Sequence, residues 1–191
     1  MSRTALSLLL FASIVCATGT VHAKECLGIS FPDRVLSESG PLVLNGVGLR
    51  EATVFKVKVY VAALYLSRTS NDGAAILTAP GPYELILHFV RNVDSGDINK
   101  GWAEGFDRNA HTLLPVLHER IGTLTQWMTN IKSSQRLQFS FAPGVGLHVV
   151  VNGAAKGTIS GDDFAKTFLS IWLGVPPNAE VKEGMLGGKC D

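Results

Sequence analysis

The stretch FKVKVYVAALYL, residues 55–66, decides how this chain folds. Its first half alternates polar and apolar side chains and its second half runs apolar. Both halves are rich in the β-branched and aromatic residues that suit a pleated surface, so the stretch predicts a strand entering a core. A second strand, YELILHFV at residues 83–90, follows the breaker cluster Pro80, Gly81 and Pro82. Residues 136–141 and 147–151 flank Pro143, Gly144 and Gly146, the pattern of a hairpin. Asn152 and Gly153 then favour another tight turn into residues 156–159. Strands joined in this way form an antiparallel sheet.

Helices fall between and after these strands. Asp94 and Ser95 are N-cap residues ahead of a stripe of Ile98, Trp102 and Phe106. Leu113, Leu117, Ile121, Leu124 and Met128 keep helical spacing in a second helix. Asp162 opens a last one, with Phe164, Phe168 and Ile171 or Trp172 on one face, ended by Gly174, Pro176 and Pro177. Helices segregated from strands describe an α+β domain with helices packed on one face of an antiparallel sheet.

The N-terminus sets a single charge at Arg3 before the apolar run from Ala5 to Val15, then small residues up to Val21, His22 and Ala23. This is the order of a cleavable signal peptide, residues 1–23, which leaves one domain, residues 24–191, in the periplasm or secreted. The apolar run falls short of the roughly 20 residues that span a bilayer, and no later segment predicts a transmembrane helix. The chain carries 17 basic and 16 acidic residues, or 16 of each without Arg3. Such a balance speaks against a nucleic-acid or anionic-membrane partner. Cys26 and Cys190 are the two cysteines left after cleavage, and an even pair in an exported protein reads as a disulfide. His111 and His118 could share a helix face, but no third ligand at metal spacing accompanies them, and His88 and His148 read as strand packing residues. Arg91 with Asp94 or Asp97 reads as an ion pair at a helix start. No metal site and no cofactor are expected.

Three segments carry a resemblance: LNGVGLREATVFKVKVYVAALYL at residues 44–66, LHFVRNVDSGDINKGWAEGF at 87–106 and FLSIWLGVPP at 168–177. In this order they resemble the chalcone isomerase-like family, in its bacterial exported branch. The resemblance implies a large antiparallel sheet with helices on one side. The family holds isomerases that close a chalcone to a flavanone and non-catalytic members that bind fatty acids in the equivalent cleft. Residue by residue, the arginine shared by both groups matches Arg50, and the following strand position matches Tyr60, where fatty-acid binders have tyrosine and the plant isomerases threonine. The tyrosine and asparagine that the enzymes use near the next helix start find no tyrosine in NVDSGDINKG and only Asn99 loosely placed.

Physical chemistry fits that pair to an acid head group. The planar arginine fork gives a carboxylate two charge-assisted hydrogen bonds, and a tyrosine hydroxyl can give a third. Lys56 and Lys58 precede Tyr60 in phase and Ala62 and Leu64 follow it, so a polar mouth leading to an apolar channel is expected, provided no β-bulge flips the phase. Without the resemblance, Arg50 would read as a surface residue paired with Glu51 or Asp33. The reading is therefore a non-catalytic protein that binds a fatty acid or similar amphipathic carboxylate at Arg50 and Tyr60. One alternative is a chalcone isomerase-type intramolecular lyase in which Arg50 holds the substrate oxygen. Another is a ligand-free interaction module, its cleft filled by Phe89, Trp102, Phe106 and Trp172.

Overall fold

The computed structural model describes residues 23–190, so all of the predicted signal peptide except Ala23 lies outside the described residues. Strands β1 (Ala23–Cys26) and β2 (Ile29–Pro32) form a small hairpin of their own. Seven more run antiparallel in chain order in one sheet: β3 (Arg34–Ser37), β4 (Gly40–Ala52), β5 (Val57–Leu66), β6 (Tyr83–Phe89), β7 (Arg136–Ala142), β8 (Gly146–Val151) and β9 (Ala154–Ile159). The short helix α1 (Gly73–Thr78) joins β5 to β6. Helices α2 (Ser95–Ala110) and α3 (Leu114–Trp127) join β6 to β7, and α4 (Asp162–Leu173) and α5 (Ala179–Met185) follow β9. The α+β architecture and the antiparallel sheet are as the sequence predicts.

The strand at residues 55–66 explains the layering. Ala62, Leu64 and Leu66 point to the helices, where they join Trp102, Phe106, Phe168 and Trp172 in the main core. Val61, Ala63 and Tyr65 point the other way, into a second core with Phe31, Leu42 and Leu49. The run of apolar residues at its end is thus a strand buried on both faces. The β1–β2 hairpin supplies part of the second cover, and the Cys26–Cys190 disulfide, with Cα atoms 5.7 Å apart, ties it to the chain end. Helix α5 lies against β4 because Gly46, Gly48 and Gly184 carry no side chain: a Cβ on Gly48 would strike the Val181 carbonyl.

Several local expectations are corrected. The strand begins at Val57, because Thr53 and Lys56 adopt left-handed backbone (φ 63° and 50°) and residues 53–56 form the turn after β4. The second helix begins at Leu114, with Leu113 in a 3-10 turn (His111–Leu113) and Met128 already extended beyond its end. Asp94 occupies the N-cap of α2 without a side-chain cap bond; the Ser95 amide donates instead to Asn130 Oδ1 at 2.9 Å. His111 bonds Asp107 one turn earlier, and His118 is exposed.

Candidate functional site

Arg50 ends the regular part of β4, and Tyr60 is its direct cross-strand partner on β5. The next pair is Glu51 with Lys58, so Val59 is an extra residue in β5 and forms a bulge. The bulge turns both Val59 and Tyr60 toward the helices and puts Lys58 out of phase. The expected lysine-lined mouth is therefore wrong. Lys58 is exposed away from the cleft, and Lys56 sits on the turn near Glu51 (3.8 Å) and Glu180 (3.7 Å).

Between the ends of β4–β6 and helix α2 lies a cleft of about 660 Å³, in the size range of small-molecule sites. Val59, Phe89, Ile98, Trp102, Ile171 and Pro177 supply its apolar wall. Arg50, Arg91, Lys100 and Arg108 bring positive charge to it, against Asp94, Asp97 and Glu104. Arg91 forms no salt bridge with Asp94 or Asp97; all three line the cleft, which corrects the expected ion pair. Arg50 has no ion-pair or side-chain hydrogen-bond partner among the described residues. Its predicted neighbour Glu51 faces Lys56 instead. Arg108 was not singled out in the sequence. The signal was present: Asp97, Gly101, Glu104 and Arg108 recur at four-, three- and four-residue steps, a stripe beside that of Ile98, Trp102 and Phe106.

Tyr60 is packed against Phe89, ring centres 5.4 Å apart, and its hydroxyl accepts a hydrogen bond from Trp172 Nε1 at 3.0 Å. Burial raises the Tyr60 pKa, and the Trp172 bond and the charges of Arg50 and Arg108 oppose the rise without cancelling it. Tyr60 therefore stays a neutral phenol, and no described residue accepts its proton, which leaves one donor free beside Arg50. The buried Trp102 Nε1 is a further donor without a partner. Asn99 does not join the site; its amide donates to the Thr125 carbonyl at 3.2 Å, toward α3.

The expected apolar channel beyond Tyr60 is filled. Ala62 and Leu64 are sealed under an aromatic cluster in which Phe168 touches Phe139 (4.6 Å), Trp172 (5.1 Å) and Trp102 (5.6 Å) between ring centres. Of the four bulky residues, Phe106 and Trp172 belong to this packed interior, while Phe89 and Trp102 form walls of the part that stays open.

Among the described residues no group of three or more His, Cys, Asp or Glu is placed to hold a metal, and no helix is long and apolar enough to cross a membrane. A search of curated proteins found no match. Among solved structures, a crystal structure of a fatty-acid binding protein from Arabidopsis thaliana superposes with a TM-score of 0.67 at 15% identity, covering 86% of this chain and 96% of that one. At that identity the likeness speaks for the fold. A family model described as chalcone isomerase-like matches residues 23–187, nearly the whole described chain, and the protein belongs to the chalcone isomerase-like family.

Proposed function

We propose that the cleft binds a fatty acid or similar amphipathic carboxylate without transforming it, and that the protein does so in the periplasm or outside the cell after loss of residues 1–23. The observation that carries this reading is the pairing of Arg50 with Tyr60: a cation with no partner among the described residues beside a phenol whose proton is unclaimed. A carboxylate oxygen could accept from both, and the second oxygen from the other arm of the guanidinium. Arg108, whose side chain is about one-third exposed and only 3.9 Å from Glu104, adds positive charge on the far wall. The first carbons of the ligand would run along Val59, Phe89, Ile98 and Ile171. With the deeper layer filled by Phe168 and its neighbours, the rest of the chain would follow the cleft toward solvent. The fatty-acid binding function of the Arabidopsis protein supports the same ligand class by analogy of fold.

Native mass spectrometry of protein recovered from the periplasm tests the reading. A co-purifying carboxylate of fatty-acid mass, lost in Arg50→Ala, is expected. Stereoselective flavanone formation from a chalcone, abolished by Arg50→Ala, would replace the proposal with the isomerase alternative.

A further inference from the structure

The turn between β4 and β5 departs from the other tight turns of the molecule. Each of those turns has at least one glycine at a left-handed position: Gly28 beside Leu27 between β1 and β2, Gly40 at the start of β4, Gly144 and Gly146 between β7 and β8, and Gly153 beside Asn152 between β8 and β9. Thr53–Val54–Phe55–Lys56 contains none, although Thr53 and Lys56 both have positive φ. For a β-branched threonine that conformation is rare and strained. The strain is held locally: the Phe55 amide donates to Thr53 Oγ1 at 3.3 Å and the Lys56 amide to the Thr53 carbonyl at 3.2 Å. The result lifts two large apolar side chains off the protein, with Val54 91% and Phe55 85% exposed.

From this geometry we propose that the β4–β5 turn is a docking tip that inserts Val54 and Phe55 into the surface of a lipid bilayer bearing anionic head groups. The size of the tip favours a membrane over a protein partner. A four-residue turn falls far short of the roughly 800 Å² per partner of a stable protein interface, whereas two adjacent apolar side chains on a narrow projection suit the acyl boundary of a bilayer. The charges beside them agree. Lys56, with 71% of its side chain exposed, and the exposed Lys58 follow the apolar pair; Glu51 and Glu180 stand 3.8 and 3.7 Å from Lys56, and the chain as a whole is near neutral, so the attraction to anionic head groups is local and rests chiefly on Lys58. The position of the tip gives docking a purpose. Ala52 and Thr53 line the cleft, and Val175, 56% exposed, stands two residues ahead of the cleft-lining Pro177. A docked tip would bring the cleft mouth to the membrane, where an amphipathic carboxylate resides; this purpose, though not the docking itself, rests on the proposed ligand.

Co-sedimentation of residues 23–191, which contain every described element and lack the apolar leader, tests the docking with vesicles of phosphatidylcholine and phosphatidylglycerol, and with phosphatidylcholine alone. Partitioning onto the mixed vesicles is expected. Val54→Ser with Phe55→Ser should lower it at least about tenfold, as loss of two buried apolar side chains implies. Lys58→Glu should lower it several-fold on the mixed vesicles only, with the difference fading as salt rises. No sedimentation of the parent protein, or equal sedimentation of the double variant, would overturn the proposal. So would a concentration-dependent dimer in analytical ultracentrifugation that the double variant abolishes, because the tip would then be a contact between copies. Titration with a fluorescent fatty acid in the absence of vesicles separates the two readings. Affinity there should be the same in parent and tip variants; vesicle docking without fatty-acid binding would leave the tip standing and remove the ligand, and the reverse would remove the tip alone.

Discussion

The layer between sheet and helices has two halves built on opposite principles. At the α4 end, Phe106, Phe139, Phe164, Phe168 and Trp172 are fully buried and interlock ring against ring. Along the charged face of α2, from Asp94 to Arg108, charged residues stand around a cleft of about 660 Å³, and Arg50 and the Tyr60 proton have no partner within the described chain. The seam is one hydrogen bond, Trp172 Nε1 to the Tyr60 hydroxyl. The filled half carries the stability that allows the open half to keep groups unpaired, a division expected where a fold is adapted to a site.

If that division holds, truncation in the filled half should cost stability and leave the cleft's chemistry in place. Phe168→Ala removes a fully buried ring from the centre of the cluster and should destabilise by about 3–5 kcal/mol in denaturant unfolding, with fatty-acid affinity of the folded fraction nearly unchanged. A stability loss under about 1 kcal/mol would mean the cluster relaxes easily and the division is not as drawn.

At the seam both properties should move. Trp172→Phe keeps much of the ring volume and removes the donor to Tyr60, so a loss of about 1–3 kcal/mol in stability is expected, together with a change in fatty-acid affinity. Unchanged affinity would show that the Tyr60 hydroxyl needs no holding.

The smallest effect belongs at the rim of the filled half. Arg120 makes a two-pronged pair with Asp163, both bonds 2.7 Å, and lies 5.7 Å over the Phe164 ring. The Arg120 hydrogen bonds hold the Asp163 carboxyl below its ordinary value of 3.8. A carboxyl with a depressed folded-state pKa stabilises the fold above its unfolded value, and the contribution fades as pH falls through the folded one. Asp163 is more than half exposed, so Asp163→Asn should cost under about 1 kcal/mol near neutrality, and the difference from the parent should disappear in acid. A difference that grows toward low pH would contradict the assigned sign.

Periodicity made the filled half readable in advance. The stripes Ile98–Trp102–Phe106 and Phe164–Phe168–Trp172 do pack on the sheet, and Asn152–Gly153 does turn with both residues left-handed. The four-residue strands β1 to β3 escaped because so short a segment completes too few alternations to stand out. Helix α5 escaped because its seven residues hold a single apolar step, Val181 to Met185, and its close contact with β4 is made through glycines. In the open half, period two failed at one residue: the Val59 bulge sent Lys58 out of phase, and nothing in an alternating pattern marks where a strand gains a residue. Arg50 and Tyr60 came from the family resemblance; their direct pairing across the strands is a feature of the fold. Arg108 was legible as a stripe position on α2, but it gained interest only once the cleft gave that face an inside.

The central claim, that the open half holds an acid head group at Arg50 and Tyr60, is tested most directly by titrating a fluorescent fatty acid into four proteins: the parent, Arg50→Ala, Tyr60→Phe and Lys58→Ala. Arg50→Ala should weaken binding by about 2–5 kcal/mol, since it leaves a shielded carboxylate without its charge partner. Tyr60→Phe should cost about 1.5–3 kcal/mol, the usual worth of a hydrogen bond to a charged group, and less than Arg50→Ala. Lys58→Ala, outside the cleft, should change binding by under about 1 kcal/mol. Equal affinity in all four, or a larger loss at Lys58 than at Arg50, would place the head group elsewhere and contradict the account.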